Sequence, residues 1–434
     1  MTNLEIGFGG IAVLLSLLAL RVPIAVALGG VSFVGISLMT STRVSWGLLS
    51  AVPFNFLGDW SLSAIPMFLL MGFIASRSGL TDGLYKAMRV VLGPIPGGLA
   101  VSSVGACGLL AAASGSSVAT SAAMARIAVP EMLRYRYDAG LATGVVASAG
   151  TLGSLIPPSI LLVIFGIFAQ VSIGELFMAG FLPGLLSALM FAAMIVIRVS
   201  LKPSLAPPLA ERPSREEKIS ALRELWILPV LVLSVLGGIF VGLFTPTEAG
   251  AVGAALALLL AVIRRTFSIA SLKTAIVETA VSSTAIFIIA VGAVLFMRFM
   301  ALSGVPDYLS TAMLSVTDNQ IVILIQIAII YLILGMFIDS IGIMLLTLPI
   351  VLPIVGGSGI DLVWFGILVI KLLEIGLVTP PVGLNVYVIK SALGNSVTLT
   401  TIFRGVLWFI IADLVTLALL ILFPQISLFL PSLM

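Results

Sequence analysis

Histidine is absent from this 434-residue chain, and cysteine occurs once, as Cys107. Those two absences exclude imidazole acid–base work, thiolate clusters and haem ligation by either residue. A single Cys in an apolar run reads as a small packing residue. Charge is scarce as well: Asp, Glu, Lys and Arg make up 9% of the chain, against about 25% in soluble domains. No phosphate-loop fingerprint is present, which argues against ATP-driven pumping by this chain. No nucleophile–base pair or metal-ligand cluster is visible, so an enzyme is the weakest reading. The N-terminus lacks a basic leader and an Ala-x-Ala-like cleavage site, so residues 4–20 read as a membrane helix.

Hydrophobic residues, by contrast, are 60% of the chain. The apolar runs are solid rather than alternating, which excludes a β-barrel and predicts an all-α polytopic membrane protein. The net charge of +3 carries no sign of a nucleic-acid partner, because basic residues in such a chain mostly set topology.

One stretch violates the apolar rule. Gly376-Leu377-Val378-Thr379-Pro380-Pro381-Val382-Gly383-Leu384-Asn385 places two prolines, two glycines and polar groups inside a spanning segment. Consecutive prolines remove two backbone donors and obstruct the turn before them. Opened backbone at membrane depth is tolerated only where it is buried in protein or lines a watery cavity. The freed carbonyls are candidate ligands for a small cation.

The same event occurs at Gly153-Ser154-Leu155-Ile156-Pro157-Pro158-Ser159, at an offset of 380 − 157 = 223. That offset also carries Ser117 onto Ser340, Pro130 onto Pro353, Asp138 onto Asp361 and Gly153 onto Gly376. With two residues of slippage, Ser78–Met88, including Asp82, falls on Ser303–Met313 with six of eleven pairs identical. The chain is a duplication. Paired interrupted segments in two halves point to a transporter's binding site.

The first repeat spans 1–200, with outer helices within 1–60, a hairpin over about 96–132 and a broken helix over about 139–172. Residues 43–60 read as an interfacial helix. Residues 201–223 form a cytoplasmic linker, marked by Lys202, Arg212, Arg215, Lys218 and Arg223 and by Pro203, Pro207, Pro208 and Pro213. The second repeat spans 224–434, with outer helices within 224–280, a hairpin over about 319–357 and a broken helix over about 361–392. Within it, an amphipathic arm at 266–280 is expected to precede a separate helix at about 281–300. With both hairpins re-entrant, each half has an odd number of crossings, so the repeats are inverted. Most basic clusters then face the cytoplasm and both termini face the outside.

A sodium ion takes about five or six oxygens, which carbonyls at helix breaks can supply. The first candidate ion site draws on Ser114, Gly115, Ser116 and Ser117 at a hairpin tip, facing Gly150, Thr151 and Gly153. The second draws on Asp339, Ser340 and Gly342, facing Gly376, Thr379 and Gly383. Asp339 has two readings, a carboxylate ligand to a cation or the N-cap of the following helix. Glu374 and Lys371, three residues apart, are either functional ionisable groups or a structural pair. Candidate solute contacts are Ser116, Pro157, Ser159, Arg298, Thr379, Pro380 and Asn385. Asn385 either reaches the solute or ties the unwound backbone, and Arg298 either meets an anion or snorkels to the interface.

The motifs Ala113–Thr120, Gly153–Pro158, Gly242–Ala249 and Glu374–Asn385, taken together, resemble the large membrane (DctM-like) subunit of tripartite ATP-independent periplasmic (TRAP) transporters. The resemblance covers essentially the whole chain. It implies the ion-transporter superfamily fold, with a scaffold and a transport domain moving as an elevator. It implies sodium-driven import of an organic acid, with sodium ions as coupling ions and no other cofactor. It implies a periplasmic substrate-binding protein and a small four-helix (DctQ-like) membrane subunit. Because the chain opens directly on the large-subunit pattern, that subunit is expected on a separate polypeptide. The implied location is the bacterial inner membrane. The alternatives are a stand-alone sodium/carboxylate symporter of the same fold and a non-transporting structural subunit.

Overall fold

The computed structural model describes residues 2–81, 83–208, 214–317 and 319–434, without the side chains of 220, 222, 224, 314 and 316. Asp82 of the repeat alignment and Arg212 and Pro213 of the linker lie outside the described residues. Regular structure is helical throughout the described residues. Helices satisfy their own backbone groups, which lipid cannot do.

The first half opens with α1 (Asn3–Ala19), α2 (Ile24–Met39), α3 (Thr42–Leu57) and α4 (Ala64–Arg77). Pro23 supplies the N-cap position of α2, where its missing N–H costs nothing. A short helix α5 (Leu84–Leu92) leads to the hairpin of α6 (Gly98–Ser114) and α7 (Ser117–Arg134). The broken helix follows as α8 (Ala139–Ala149), α9 (Leu152–Leu155) and α10 (Ile160–Ala169), and α11 (Ile173–Leu201) closes the half.

The second half runs through α12 (Arg215–Leu225), α13 (Ile227–Phe240), α14 (Pro246–Ile263) and α15 (Ile269–Ser303). Then come α16 (Val305–Val316), the hairpin of α17 (Gln320–Gly335) and α18 (Ser340–Gly357), and the broken helix of α19 (Leu362–Val378) and α20 (Leu384–Leu393). The chain ends with α21 (Leu399–Leu422) and α22 (Gln425–Leu428).

Two expectations are corrected. The arm at 266–280 and the helix at 281–300 are one 35-residue helix, α15, about 52 Å long at 1.5 Å per residue. Nothing between them breaks a helix: the segment has no proline, and its one glycine, Gly292, packs on Ala25 of α2. In the first half the matching stretch is interrupted at Gly58 and Asp59, which separate α3 from α4. The linker is also less open than its composition suggests. Its C-terminal part is α12, started by a capping box between Ser214 and Glu217, and α12 packs on α5.

Among the described residues, six helical segments are long and apolar enough to cross a membrane: Trp60–Arg77, α11, α14, α15, α18 and α21. The bent pair Ala139–Leu155 and Ile160–Ala169, meeting at 41°, would make a seventh. Of the hairpin arms, α6 and α17 have 17 and 16 residues and α7 and α18 have 18 each, at the lower end of the roughly 17–25 that a span takes.

The core lies where the broken helices are. Residues Gly140–Ala149 of α8 and Val363–Val378 of α19 are buried without exception. A helix buried all round should be apolar all round, and α19 is so apart from Lys371 and Glu374. Around this centre, α1–α4 and α13–α15 pack on one another, chiefly α2 and α4 on α15 and α4 on α14. An ion pair between Arg77 and Glu278 joins α4 to α15.

Candidate functional site at two helix breaks

The two halves interlock crosswise. The helix after the second break, α20, packs on α7 of the first hairpin, and the helix after the first break, α10, packs on α18 of the second. Each break therefore lies between its own hairpin and the other.

The residues of the first cluster lie together. Gly115 closes α6 with φ +60°, a conformation that suits glycine, and Ser116 caps α7. The two arms are tied by Ser114 Oγ and Thr120 Oγ1 at 2.9 Å. Ser117 Oγ lies 2.5 Å from Ser154 Oγ and donates to the Thr151 carbonyl at 3.3 Å. Gly153 lies against the Ser116 and Ser117 backbone, where an added Cβ would come within 3.0–3.2 Å. Tip and break are thus in direct contact.

The carbonyls opened here differ from the expectation in detail. Residues 152–155 still form a helical turn, and the extended stretch is 156–159. Prolines at 157 and 158 cannot donate to the carbonyls four residues back, those of Gly153 and Ser154. Ser159 Oγ takes the Ser154 carbonyl at 2.5 Å, and the Gly150 and Thr151 carbonyls accept the N–H groups of Gly153 and Ser154. Pro157 and Ser159 are buried. Neither is open to solvent in this conformation, unlike Ser116, Thr379 and Pro380.

The second cluster is looser. Asp339 is the N-cap of α18, its Oδ2 accepting the Gly342 N–H at 3.0 Å, so the capping reading holds. Ser340 Oγ is buried with no partner. Gly376 touches Gly335 backbone to backbone, where an added Cβ would lie 2.6 Å from Gly335 Cα. Thr379 Oγ1 donates to the Ile375 carbonyl at 2.6 Å, and Gly383 starts α20 with φ +57°. Among the described residues, no hydrogen bond joins Asp339 or Ser340 to Gly376, Thr379 or Gly383. The Pro157–Pro158 and Pro380–Pro381 bonds are both cis.

Ser116, Thr379 and Pro380 are half-buried and thus reachable. Asn385 is buried and donates to the Ala147 carbonyl of α8 at 3.2 Å, which makes it a tie between the breaks. Arg298 stands exposed on α15, with no hydrogen bond or ion pair to any described residue, and belongs to neither cluster.

Glu374 and Lys371 form a buried pair at 3.2 Å, and sequence reasoning missed their third member. Asp413 of α21 lies 2.6 Å from Lys371 Nζ, and Ser187 of α11 accepts from the same nitrogen at 3.0 Å. The signal was available: Asp413 is the one carboxylate in the apolar α21, and intramembrane ionisable residues mark function by default.

Comparison with known proteins places this arrangement. The chain matches the family model of the tripartite ATP-independent periplasmic transporter, DctM component, over residues 11–426. It is 32% identical over 420 residues to the sialic acid TRAP transporter large permease protein SiaM of Vibrio cholerae, covering 96% of this chain and 97% of that one. It is 35% identical to the C4-dicarboxylate TRAP transporter large permease protein DctM of Pseudomonas aeruginosa, covering 86% of each. It is also 34% identical to the isethionate TRAP transporter permease protein DctMQ of Oleidesulfovibrio alaskensis, of which it spans only 58%. The crystal structure of the Alcanivorax borkumensis YdaH transporter, described as having an unusual topology, shares the fold. Its TM-score is 0.63 at 15% identity, with 87% of this chain and 88% of that one covered. The chain belongs to the DctM family, the large multi-pass membrane permease components of tripartite ATP-independent periplasmic transporters.

Proposed function

We propose that this chain imports an organic acid by sodium-coupled secondary transport, receiving it from a periplasmic substrate-binding protein. The carrying observation is the first cluster, where Ser117 Oγ meets Ser154 Oγ and the Thr151 carbonyl between a hairpin tip and a break. Hydroxyl and carbonyl oxygens without a full negative charge suit a weakly held monovalent cation. A second sodium ion is proposed at Asp339, Ser340 and Gly342, where Ser340 Oγ is buried and still lacks a partner. Such an atom is costly to bury unless something completes it.

The solute class follows from chemistry and from kinship. The half-buried Ser116 and Thr379, with Pro380 next to Thr379 at the second break, offer two hydroxyls rather than a fixed counter-charge. The relatives are named for sialic acid, C4-dicarboxylates and isethionate, each an organic anion. An organic anion is what the three share; the carboxylate proposed here follows the sialic acid and C4-dicarboxylate relatives, since isethionate carries a sulfonate instead. The N-termini of the hairpin helices α7 and α18 favour an anion nearby.

The mechanism proposed is an elevator. Helices α1–α4 and α13–α15 form the scaffold, and the interlocked hairpins and broken helices move against it with ions and solute. The two halves are taken as inverted repeats in the bacterial inner membrane, with both termini periplasmic. A small four-helix subunit is the expected membrane partner, as in the tripartite arrangement of the family.

The test is uptake of labelled organic acids into proteoliposomes that hold this chain and its small subunit, with binding protein outside. Uptake requiring both a sodium gradient and the binding protein supports the reading. Uptake that ignores the binding protein would favour the stand-alone symporter, and uptake indifferent to sodium would remove the ion sites.

A further inference from the structure

One group of buried charges is used by neither cluster. Lys371, Glu374 and Asp413 are each 0% exposed. The three hydrogens of the Lys371 ammonium are all engaged, by Asp413 Oδ1 at 2.6 Å, Ser187 Oγ at 3.0 Å and Glu374 Oε2 at 3.2 Å. Two oxygens are left over: Glu374 Oε1 and Asp413 Oδ2 are buried with no well-formed hydrogen bond among the described residues, the Leu155 backbone lying beside the Glu374 carboxyl.

The charge does not balance. Two carboxylates against one ammonium leave −2 + 1 = −1 in a region closed to water. Among the described residues, no other charge is paired or hydrogen-bonded with the three. The elements packed on α19 are α9, α10, α11, α17, α18, α20, α21 and α22. On α11, Glu175 and Arg198 sit in the first and last turns, and Arg198 lies over Trp408. On α21 the only other charge is Arg404, near its start. On α17, Tyr331 accepts a bond from Thr347, and on α20, Lys390 is held by the Gly394 and Val397 carbonyls, with Tyr387 beside Phe403. The remaining packed helices carry no ionisable side chain. An uncompensated buried charge costs several kcal/mol and is relieved by whatever cation can reach it.

The position in the fold gives that cation a role. Glu374 is two residues before Gly376, which touches the end of the second hairpin's first arm at Gly335. The repeat offset puts it on 374 − 223 = 151, and Thr151 is the residue whose carbonyl serves the first cluster.

We infer that Lys371, Glu374, Asp413 and Ser187 form a third cation site, which takes one monovalent cation, a proton or a sodium ion, on the unpaired carboxylate oxygens. This rests on the import reading above, and makes the cation travel with the solute. Gln at 374 leaves the cluster neutral with Lys371 and Asp413 paired, so it no longer calls for a cation.

The experiment is uptake by the reconstituted assembly, wild type against Glu374→Gln, with pH and sodium gradients imposed independently. If the cation is a proton, an inward pH gradient at fixed sodium raises wild-type accumulation, and Glu374→Gln does not respond. If it is sodium, neither protein responds to pH, and the Hill coefficient for sodium falls by about one in the variant. Either way the accumulation ceiling drops about tenfold for a tenfold gradient of the lost cation. Equal pH responses and equal sodium cooperativity in the two proteins would overturn the inference. Asp413→Asn removes the same charge and serves if Glu374→Gln does not fold. The wild type alone also decides: blindness to a pH gradient, with a sodium count no higher than the two break clusters require, is fatal to the idea. Uptake that ignores sodium yet loses its pH drive in Glu374→Gln would sink the sodium reading while supporting this cluster.

Discussion

The side-chain amide of Asn385 donates to the carbonyl of Ala147 at 3.2 Å, joining positions 238 residues apart. The bond answers a local need. In an uninterrupted helix the Thr151 N–H would serve that carbonyl, but here it turns to Ser148 at 3.1 Å. The break in the first half thus exposes an acceptor, and a side chain at the break in the second half supplies the donor. Asn385→Ala should lower stability by about 0.6–2 kcal/mol, the range for a hydrogen bond between membrane helices. Asn385→Asp, which has no donor when ionised, should do no better. Thermal unfolding of the purified assembly checks this; equal melting temperatures for wild type and Asn385→Ala would strip the bond of any stabilising role.

Ser117 and Ser340 occupy equivalent positions but should respond differently to alanine. Ser117 Oγ has protein partners, whereas Ser340 Oγ is buried without one. Ser117→Ala therefore loses stability even without sodium. Ser340→Ala discards an unsatisfied atom and should unfold like wild type, or slightly later, in sodium-free buffer. Adding sodium then separates them from wild type. A ligand at a hundred times its dissociation constant stabilises by about 2.7 kcal/mol, and part of that shift should vanish in each variant. An undiminished sodium shift in Ser340→Ala would take the second ion site away from this residue.

Gly335 and Gly376 allow α17 and α19 to meet backbone to backbone, and neither tolerates a methyl group. A Cβ on Gly376 would lie 2.6 Å from Gly335 Cα, and one on Gly335 would lie 2.8 Å from Gly376 Cα. Because the obstructing atoms are main chain, relief requires the helices to separate. Gly376→Ala should cost about 1–3 kcal/mol or more and slow uptake beyond what its expression level explains. Wild-type melting and transport in Gly376→Ala would show that the crossing can loosen freely.

How much of this was legible beforehand depends on the range of the cause. Pro157–Pro158 and Pro380–Pro381 act on the backbone immediately before them, so both breaks could be read from the residues. Gly115 and Ser116 also declare a hairpin tip by local chemistry. The continuity of α15 was harder, because the polar run near Lys273 and Glu278 looks like a surface arm. It continues as helix because nothing in it stops one, and because Glu278 meets Arg77 of α4. Asp413 could be singled out on its own as a carboxylate in an apolar helix, but its pairing with Lys371 could not. Ser187 and Asp413 lie 184 and 42 residues from it, and only packing of α11 and α21 on α19 brings them in. Burial of Pro157 and Ser159 is likewise a product of packing: α11 lies against α9 and α10, on either side of this stretch, with Gly180 close to the Leu155 carbonyl and Gly184 close to Ile156.

Lys371 offers the sharpest test of the buried charges as structure. Lys371→Met removes the one positive group and strands two carboxylates that each lose their only bonded oxygen's partner. Breaking a buried ion pair by removing one member costs about 3–5 kcal/mol, mostly the penalty on the charge left behind. The single variant should therefore express poorly or melt far below wild type. Removing the stranded charges as well should reverse the damage, because well-packed neutral groups of similar size replace buried ion pairs at little cost. The triple variant Lys371→Met, Glu374→Gln, Asp413→Asn should accordingly recover most of the lost melting temperature. It should not recover coupling, since it also lacks the charge that draws in a cation. A triple variant as unstable as Lys371→Met would mean that the lysine acts through its shape, packed near Phe191 at 5.7 Å, rather than through its charge.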